Sequence, residues 1–133
     1  MKKYSLLIFV LFIAILFALY SFLSSNSSAI EYHKISPEIA KSRIDSKDEL
    51  IIVDVRTKEE YQEKHIENAI LIPNETITDQ KPALLPNLDA EILIYCRSGN
   101  RSAQAAEKLI KLGYTKIYDI GGINDWPYAT VTE

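Results

Sequence analysis

Cysteine is almost absent from this chain of 133 residues, in which Cys96 is the only one. No disulfide can therefore close within the chain. A single free thiol is also a liability in an oxidising compartment, where small domains usually use their cysteines in pairs. Its presence needs a reason, and the first one to test is that Cys96 is an inert, buried residue of the core.

An excess of basic residues is also lacking. The chain has 15 Lys and Arg against 18 Asp and Glu, which gives a formal net charge of −3. Removal of Lys2 and Lys3 with the first segment would make the remainder more negative still. Nucleic acid is a polyanion, so we do not expect it as a partner.

Polar side chains are missing from residues 6–20, apart from the hydroxyl of Tyr20. Lys2 and Lys3 precede this run, and the serine-rich residues 24–28 follow it. Basic residues, then an apolar stretch, then small polar residues are the order typical of a secretory signal peptide or a membrane anchor. In both cases the lysines stay in the cytoplasm and the rest of the chain is exported.

The length of the run leaves these two alternatives open. A cleaved signal has an apolar region of about 7–15 residues, whereas a spanning helix needs about 17–25. Ser27 and Ala29 have the spacing of small residues that favours cleavage after Ala29. We assign residues 1–29 to a signal peptide or membrane anchor, with a membrane as partner of residues 4–23 if uncleaved. Residues 30–133 form one domain, which we expect in the periplasm or another extracytoplasmic compartment.

Helix and strand patterns alternate through this domain. Thr57 and Glu60 have the spacing of a capping box, and Gly113 can end a helix. The predicted elements are helix 37–44, strand 50–55, helix 57–65, strand 69–72, strand 91–95, helix 101–112, strand 116–120, a turn at Gly121 and Gly122, and a helical turn at 123–126. Pro82 and Pro86 predict a loop with one weak helix at most. The alternation predicts an α/β fold of three layers, in which helices cover both faces of a central parallel sheet.

Cys96 lies directly after the strand 91–95 and before the helix that opens near Arg101. In parallel sheets the working site lies beyond the carboxyl ends of the strands. Gly99 and Asn100 can adopt backbone angles closed to most residues, so we expect the loop to curl around Cys96 with its amides pointing inward. The candidate binding residues are Arg97, Ser98, Gly99, Asn100, Arg101 and Ser102.

Three features of this loop favour the ionised form of the Cys96 thiol. They are the inward amides, the positive end of the helix dipole, and the charges of Arg97 and Arg101. No acidic residue lies between Glu91 and Glu107, so the loop is locally positive and should attract an anion. An inert core cysteine needs none of these neighbours, and we therefore interpret Cys96 as a nucleophile.

Residues 96–102 resemble the active loop of single-domain rhodaneses, which has the form Cys-Arg-x-Gly-x-Arg/Thr-Ser. The resemblance covers about residues 35–126. Its further elements are Asp54-Val55-Arg56, Glu60-Tyr61, His65-Ile66, Gly121-Gly122 and Trp126. One position departs from the family pattern, because Lys64 stands where a glycine usually precedes His-Ile.

The resemblance implies a rhodanese-like fold and a thiosulfate sulfurtransferase without cofactor or metal. Cys96 would take a sulfane sulfur from a small anionic donor such as thiosulfate and pass it, as a persulfide, to cyanide or a thiol. Arg97 would orient the donor, and Arg101 would close the loop and support the thiolate. Asp54 and Arg56 would brace the loop from behind, unless they form an ordinary surface ion pair.

Two other functions remain open at this stage. The domain could be a membrane-anchored sulfur carrier or binding module without turnover, although members of the family that have lost activity usually lack the cysteine. It could also be a phosphatase on the same fold, but that loop has five residues between cysteine and arginine, whereas four separate Cys96 from Arg101. We expect His33 and His65 to be structural. Asn26 and Asn74 begin two matches to the glycosylation acceptor pattern, to which we give little weight.

Overall fold

The computed structural model describes residues 2–25, 32–46 and 49–133. A long helix comes first, and an α/β domain with a five-stranded sheet follows it. The helices are α1 (Lys2–Ser25), α2 (Pro37–Ser46), α3 (Lys58–Glu63) and α4 (Asn100–Lys111), with 3₁₀ turns at Asn74–Thr76 and Ile123–Asp125. The strands are β1 (His33–Lys34), β2 (Leu50–Asp54), β3 (Ile70–Leu71), β4 (Glu91–Cys96) and β5 (Ile117–Gly122).

The sheet has the strand order β1-β5-β4-β2-β3, and all four pairings are parallel. The central strand β4 is buried along almost its whole length, as its continuous apolar sequence predicts. Ala105, Ala106 and Leu109 of α4 belong to the core on one face of the sheet. Ala40 of α2 belongs to the core on the other face, and the partly buried Tyr61 of α3 packs against it. The predicted parallel α/β fold is therefore confirmed.

Both predicted helix caps are present. The Thr57 hydroxyl accepts a hydrogen bond from the Glu60 amide, and the Glu60 carboxylate accepts one from the Thr57 amide. Helix α4 ends in a Schellman motif, in which Gly113 has φ +100° and Tyr114 N–H donates to the Leu109 carbonyl at 3.2 Å. These local contacts explain why the start of α3 and the end of α4 can be predicted from the sequence.

The predicted turn at Gly121 and Gly122 is wrong, because both glycines belong to strand β5. Ile94 pairs with Asp119, but the next residue, Tyr95, pairs with Gly121. The register shift inserts one extra residue into β5, and Gly121 takes φ +92° there. The strand therefore continues to the level of Cys96 instead of turning away.

Strand β1 was not predicted. It has only two residues, both exposed, and pairs with β5 at one edge of the sheet. A strand this short shows neither an apolar run nor an alternation, so its sequence gives no signal.

Helix α1 is the apolar helix expected at the start of the chain. Residues 4–23 are exposed along their whole length and are long and apolar enough to cross a membrane. The predicted cleavage after Ala29, the domain boundary beside it and the acceptor pattern at Asn26 lie outside the described residues.

Candidate active site

Cys96 is the last residue of β4, at the carboxyl end of the central strand. It pairs there with Gly122 of β5, and its side chain is 1% exposed. It belongs to the same buried apolar cluster as Val55, which follows β2, and Ala105 of α4. The sulfur therefore lies under the loop that follows it and not on the open surface.

The loop turns sharply at Gly99, which has φ +105° and is the N-cap of α4. Its amide donates to Cys96 Sγ at 3.0 Å. The first bond of the helix runs from Ala103 N–H to the Gly99 carbonyl at 3.2 Å, so the amides of residues 100–102 have no acceptor within the helix. The sulfur therefore faces the positive end of the α4 dipole. Among the described residues, Gly99 supplies the one amide that reaches Sγ, whereas we expected several.

Ser102 is the second group beside the sulfur. It is fully buried, and its Oγ lies 3.7 Å from Cys96 Sγ. The same hydroxyl is 3.0 Å from the Gly99 carbonyl and 3.4 Å from the Gly121 carbonyl. A serine has one hydroxyl proton, so it can donate to a carbonyl while the thiol donates to it, or turn and donate to an ionised sulfur.

The loop rests on the backbone of Gly121 and Gly122. A Cβ added to Gly122 would lie 2.2 Å from the Arg97 carbonyl oxygen and 2.6 Å from Ser98 Cα. The Arg97 carbonyl also accepts a hydrogen bond from Asn124 N–H at 3.2 Å. Gly122 was not among the predicted site residues, although the double glycine is part of the family resemblance.

Arg101 forms an ion pair with Glu60 of α3. Its Nη1 and Nη2 donate to Oε2 and Oε1 of the carboxylate at 2.7 and 2.9 Å. This bidentate pair lowers the pKa of Glu60 to about 2, against the opposing effect of partial burial, and it raises the pKa of Arg101. The other side chains of the loop, Arg97, Ser98 and Asn100, are exposed.

Asp54 and Arg56 form a buried ion pair rather than a surface one. Their side chains are 0% and 3% exposed, and Arg56 Nη2 lies 2.7 Å from Asp54 Oδ2. Arg56 also donates to the Lys64 carbonyl at 2.6 Å, and its guanidinium lies 5.6 Å from the ring centre of Tyr95. The pair thus contacts the residue before Cys96, and among the described residues it forms no hydrogen bond or ion pair with residues 97–102.

Tyr95 is fully buried, and its hydroxyl accepts a hydrogen bond from Ile66 N–H at 3.0 Å. Burial, with the nearby charge of Asp54, raises the pKa of this hydroxyl. Lys64, the departure from the family pattern, has φ −166°, an extended conformation that any residue adopts. A glycine is therefore not required there.

The histidines lie in structural positions. His65 is buried, stacks on Tyr61 with a centroid distance of 3.8 Å and pairs with Val131 through the main chain. His33 stacks on Tyr118 at the sheet edge. Asn74 is 6% exposed and its amide donates to Gln104, so it is not accessible to a glycosylating enzyme in the folded protein.

The fold and the site together are a parallel α/β sheet with a buried cysteine sulfur at the end of its central strand, covered by a short loop at a helix N-terminus. The family model described as "Rhodanese-like domain" matches residues 36–128. The chain belongs to this rhodanese-like family.

The curated relatives include sulfurtransferases. The chain is 36% identical over 73 residues to "Thiosulfate sulfurtransferase PspE" of Escherichia coli K12, with 55% of this chain and 70% of that protein covered. It is 33% identical over 95 residues to a "Sulfurtransferase" of Allochromatium vinosum, with 71% and 87% covered. It is also 39% identical over 108 residues to "Putative sulfur carrier protein YrkF" of Bacillus subtilis 168, with 80% covered, but spans only 56% of that protein's length.

Solved structures show the same fold. A "Rhodanese-like Domain Protein from Staphylococcus aureus" has a TM-score of 0.67 and 31% identity, with 76% of this chain and 98% of that chain covered. A "rhodanese with anions from E. coli" has a TM-score of 0.58 and 32% identity, with 62% and 98% covered.

Proposed function

We propose that the domain is a sulfurtransferase that accepts a sulfane sulfur from thiosulfate on Cys96 and passes it to a thiol or cyanide. The observation that carries this proposal is the position of Sγ at the N-terminus of α4, where the Gly99 amide donates to it at 3.0 Å. An anion on this sulfur, thiolate or persulfide, is stabilised there by a main-chain donor and by the helix dipole. The names of the sulfurtransferase relatives support the same function.

The transfer proceeds in two displacements on sulfur. In the first, the Cys96 thiolate attacks the outer sulfur of thiosulfate, the S–S bond of the donor breaks, and sulfite leaves with the electron pair. Cys96 then carries a persulfide with one negative charge. In the second, cyanide or a thiolate attacks the outer sulfur of the persulfide, and Cys96 returns to the thiolate. No strong general base is needed once the thiol is ionised.

The loop residues have distinct roles in this scheme. Arg97 is exposed beside the site and orients the anionic donor. The Gly99 amide and the Ser102 hydroxyl stabilise the charge on sulfur. Arg101 contributes through the position of the loop, because its guanidinium pairs with Glu60.

The test is intact-mass spectrometry of the purified domain after treatment with thiosulfate, with Cys96→Ser as the control. We expect the wild-type protein to gain one sulfur atom, the variant to gain none, and cyanide to remove the sulfur as thiocyanate. Release of phosphate from an aryl phosphate, with no gain of sulfur, would instead support the phosphatase alternative.

A sulfur carrier without turnover is the second candidate, favoured by the similarity to the Bacillus subtilis protein. Such a carrier would load one sulfur on Cys96 but would release it only to a partner protein. Multiple turnovers of thiosulfate with cyanide or a small thiol would contradict this alternative. A single loading without turnover would support it.

We further propose that α1 directs the domain to the membrane with Cys96 on the non-cytoplasmic side. Residues 4–23 are apolar and fully exposed, and at about 1.5 Å per residue they match the roughly 30 Å hydrocarbon core of a bilayer. Membrane fractionation of cells expressing the full chain tests this proposal. The intact mass of the recovered protein then distinguishes an uncleaved anchor from cleavage after Ala29, and recovery of the full-length chain in the soluble cytoplasm would contradict both.

A further inference from the structure

We propose that Glu60 sets the charge of the sulfur site by holding Arg101 in a bidentate ion pair, and that it thereby weakens the binding of dianionic sulfur donors relative to monoanionic ones. This inference rests on the proposed sulfurtransferase function and deepens it. It adds a positioning residue, outside the loop, that selects among donors by their charge.

The geometry ties Glu60 to the loop and to α3 at the same time. Its Oε2 accepts from Thr57 N–H at 2.9 Å and from Arg101 Nη1 at 2.7 Å, while Oε1 accepts from Arg101 Nη2 at 2.9 Å. Both oxygens are therefore occupied, and the capping box fixes the carboxylate before it meets Arg101. A planar guanidinium held at two points loses most of its freedom to turn toward the sulfur.

The ion pair changes how many positive charges the site presents. The sequence places two arginines within five positions of Cys96, but Glu60 neutralises Arg101 at contact distance. Arg97 is then the exposed arginine of the loop. Coulomb energy is proportional to the charge of the ligand, so the loss of one site charge weakens the binding of a dianion twice as much, in free energy, as that of a monoanion.

Glu60→Gln isolates this effect, because glutamine also serves in a capping box but carries no charge. Two donors with the same type of S–S bond are compared, thiosulfate as the dianion and methanethiosulfonate as the monoanion. We expect KM for thiosulfate to fall about 3- to 10-fold, and KM for methanethiosulfonate to fall by about the square root of that factor. Both changes should shrink at high salt, which screens exposed charges.

Thr57→Ala is the matched control. It removes the other half of the capping box and should lower the melting temperature. The ion pair between Glu60 and Arg101 is kept, so both KM values should stay unchanged. If Glu60 were only structural, each of the two variants would change KM for thiosulfate and KM for methanethiosulfonate by the same factor. That result would overturn the inference.

Arg101→Gln gives a second, independent readout. Loss of the arginine leaves the Glu60 charge unpaired, so KM for thiosulfate should rise more than KM for methanethiosulfonate. Glu60→Gln in the Arg101→Gln background should then lower KM for thiosulfate again, because it removes the exposed negative charge. Equal effects on both donors in these variants would refute the charge mechanism. Failure of the wild-type domain to load sulfur from either donor would instead refute the sulfurtransferase function itself.

Discussion

Replacement of Gly122 by alanine should disable the sulfur site while leaving most of the fold intact. Gly122 pairs with Cys96 in the sheet, and the loop crosses directly over it. The added Cβ would meet three backbone atoms, the Arg97 carbonyl oxygen at 2.2 Å, Ser98 Cα at 2.6 Å and the Arg97 carbonyl carbon at 2.7 Å. Backbone atoms cannot rotate away as a side chain can, so the loop itself has to move.

The size of the effect follows from these distances. Cβ contacts below 3.0 Å essentially do not occur, so the loop must rise by about 0.8 Å, at a cost of roughly 1–3 kcal/mol in overpacking. A shift of this size displaces the Gly99 amide, which donates to Sγ at 3.0 Å, and so weakens that hydrogen bond. Misplacement of reacting groups by about 1 Å lowers rates by around 100-fold. We therefore expect Gly122→Ala to lower the rate of sulfur transfer by about that factor.

The assay is the steady-state formation of thiocyanate from thiosulfate and cyanide, with far-UV circular dichroism to establish that the variant folds. Gly113→Ala is the control, since Gly113 also has a glycine-type conformation, at φ +100°, but lies at the other end of α4. It should lose stability without losing activity per folded molecule. A folded Gly122→Ala protein with wild-type activity would refute the view that this glycine seats the loop.

Three further predictions concern stability. Asp54→Ala should cost about 3–5 kcal/mol in urea unfolding, because it leaves the guanidinium of Arg56 buried without its carboxylate. Tyr95→Phe should cost about 1–2 kcal/mol, because a buried main-chain amide loses its acceptor. Glu60→Gln should lower the free energy of unfolding by about 1 kcal/mol at pH 7 and by almost nothing near pH 2. Folding lowers the pKa of Glu60 from 4.5 to about 2. The ion pair with Arg101 therefore stabilises the protein above about pH 4.5, and this stabilisation is lost as the pH falls toward 2.

Controls for these variants come from exposed positions. Lys41 and Asp45 form a surface ion pair, so Lys41→Ala should change the unfolding free energy by less than about 0.5 kcal/mol. A cost this small for Asp54→Ala would contradict the buried-pair argument. For Glu60→Gln, an unfolding free energy difference that stays constant between pH 7 and pH 2 would contradict the assigned pKa.

The elements that could be predicted are those with strong local signals. The continuous apolar sequences of β2 and β4, the capping box at Thr57 and the Schellman glycine at the end of α4 each determine structure within a few residues. Strand β1 could not be predicted, because two exposed residues form a strand only when β5 is beside them. The extension of β5 through Gly122 was missed because two consecutive glycines favour a turn, and only pairing with β4 keeps them in the strand.

The amino-acid sequence by itself determined the position of the candidate nucleophile and the loop that follows it, because a strand, a cysteine, a glycine and a helix start are contiguous in the chain. Tertiary structure alone decided which groups meet that loop from elsewhere. Glu60 reaches Arg101 across 41 positions, and Gly122 lies against Arg97 and Ser98 from another strand. Neither contact leaves a local pattern, because each depends on how α3, β4 and β5 are placed by the packing of the whole sheet.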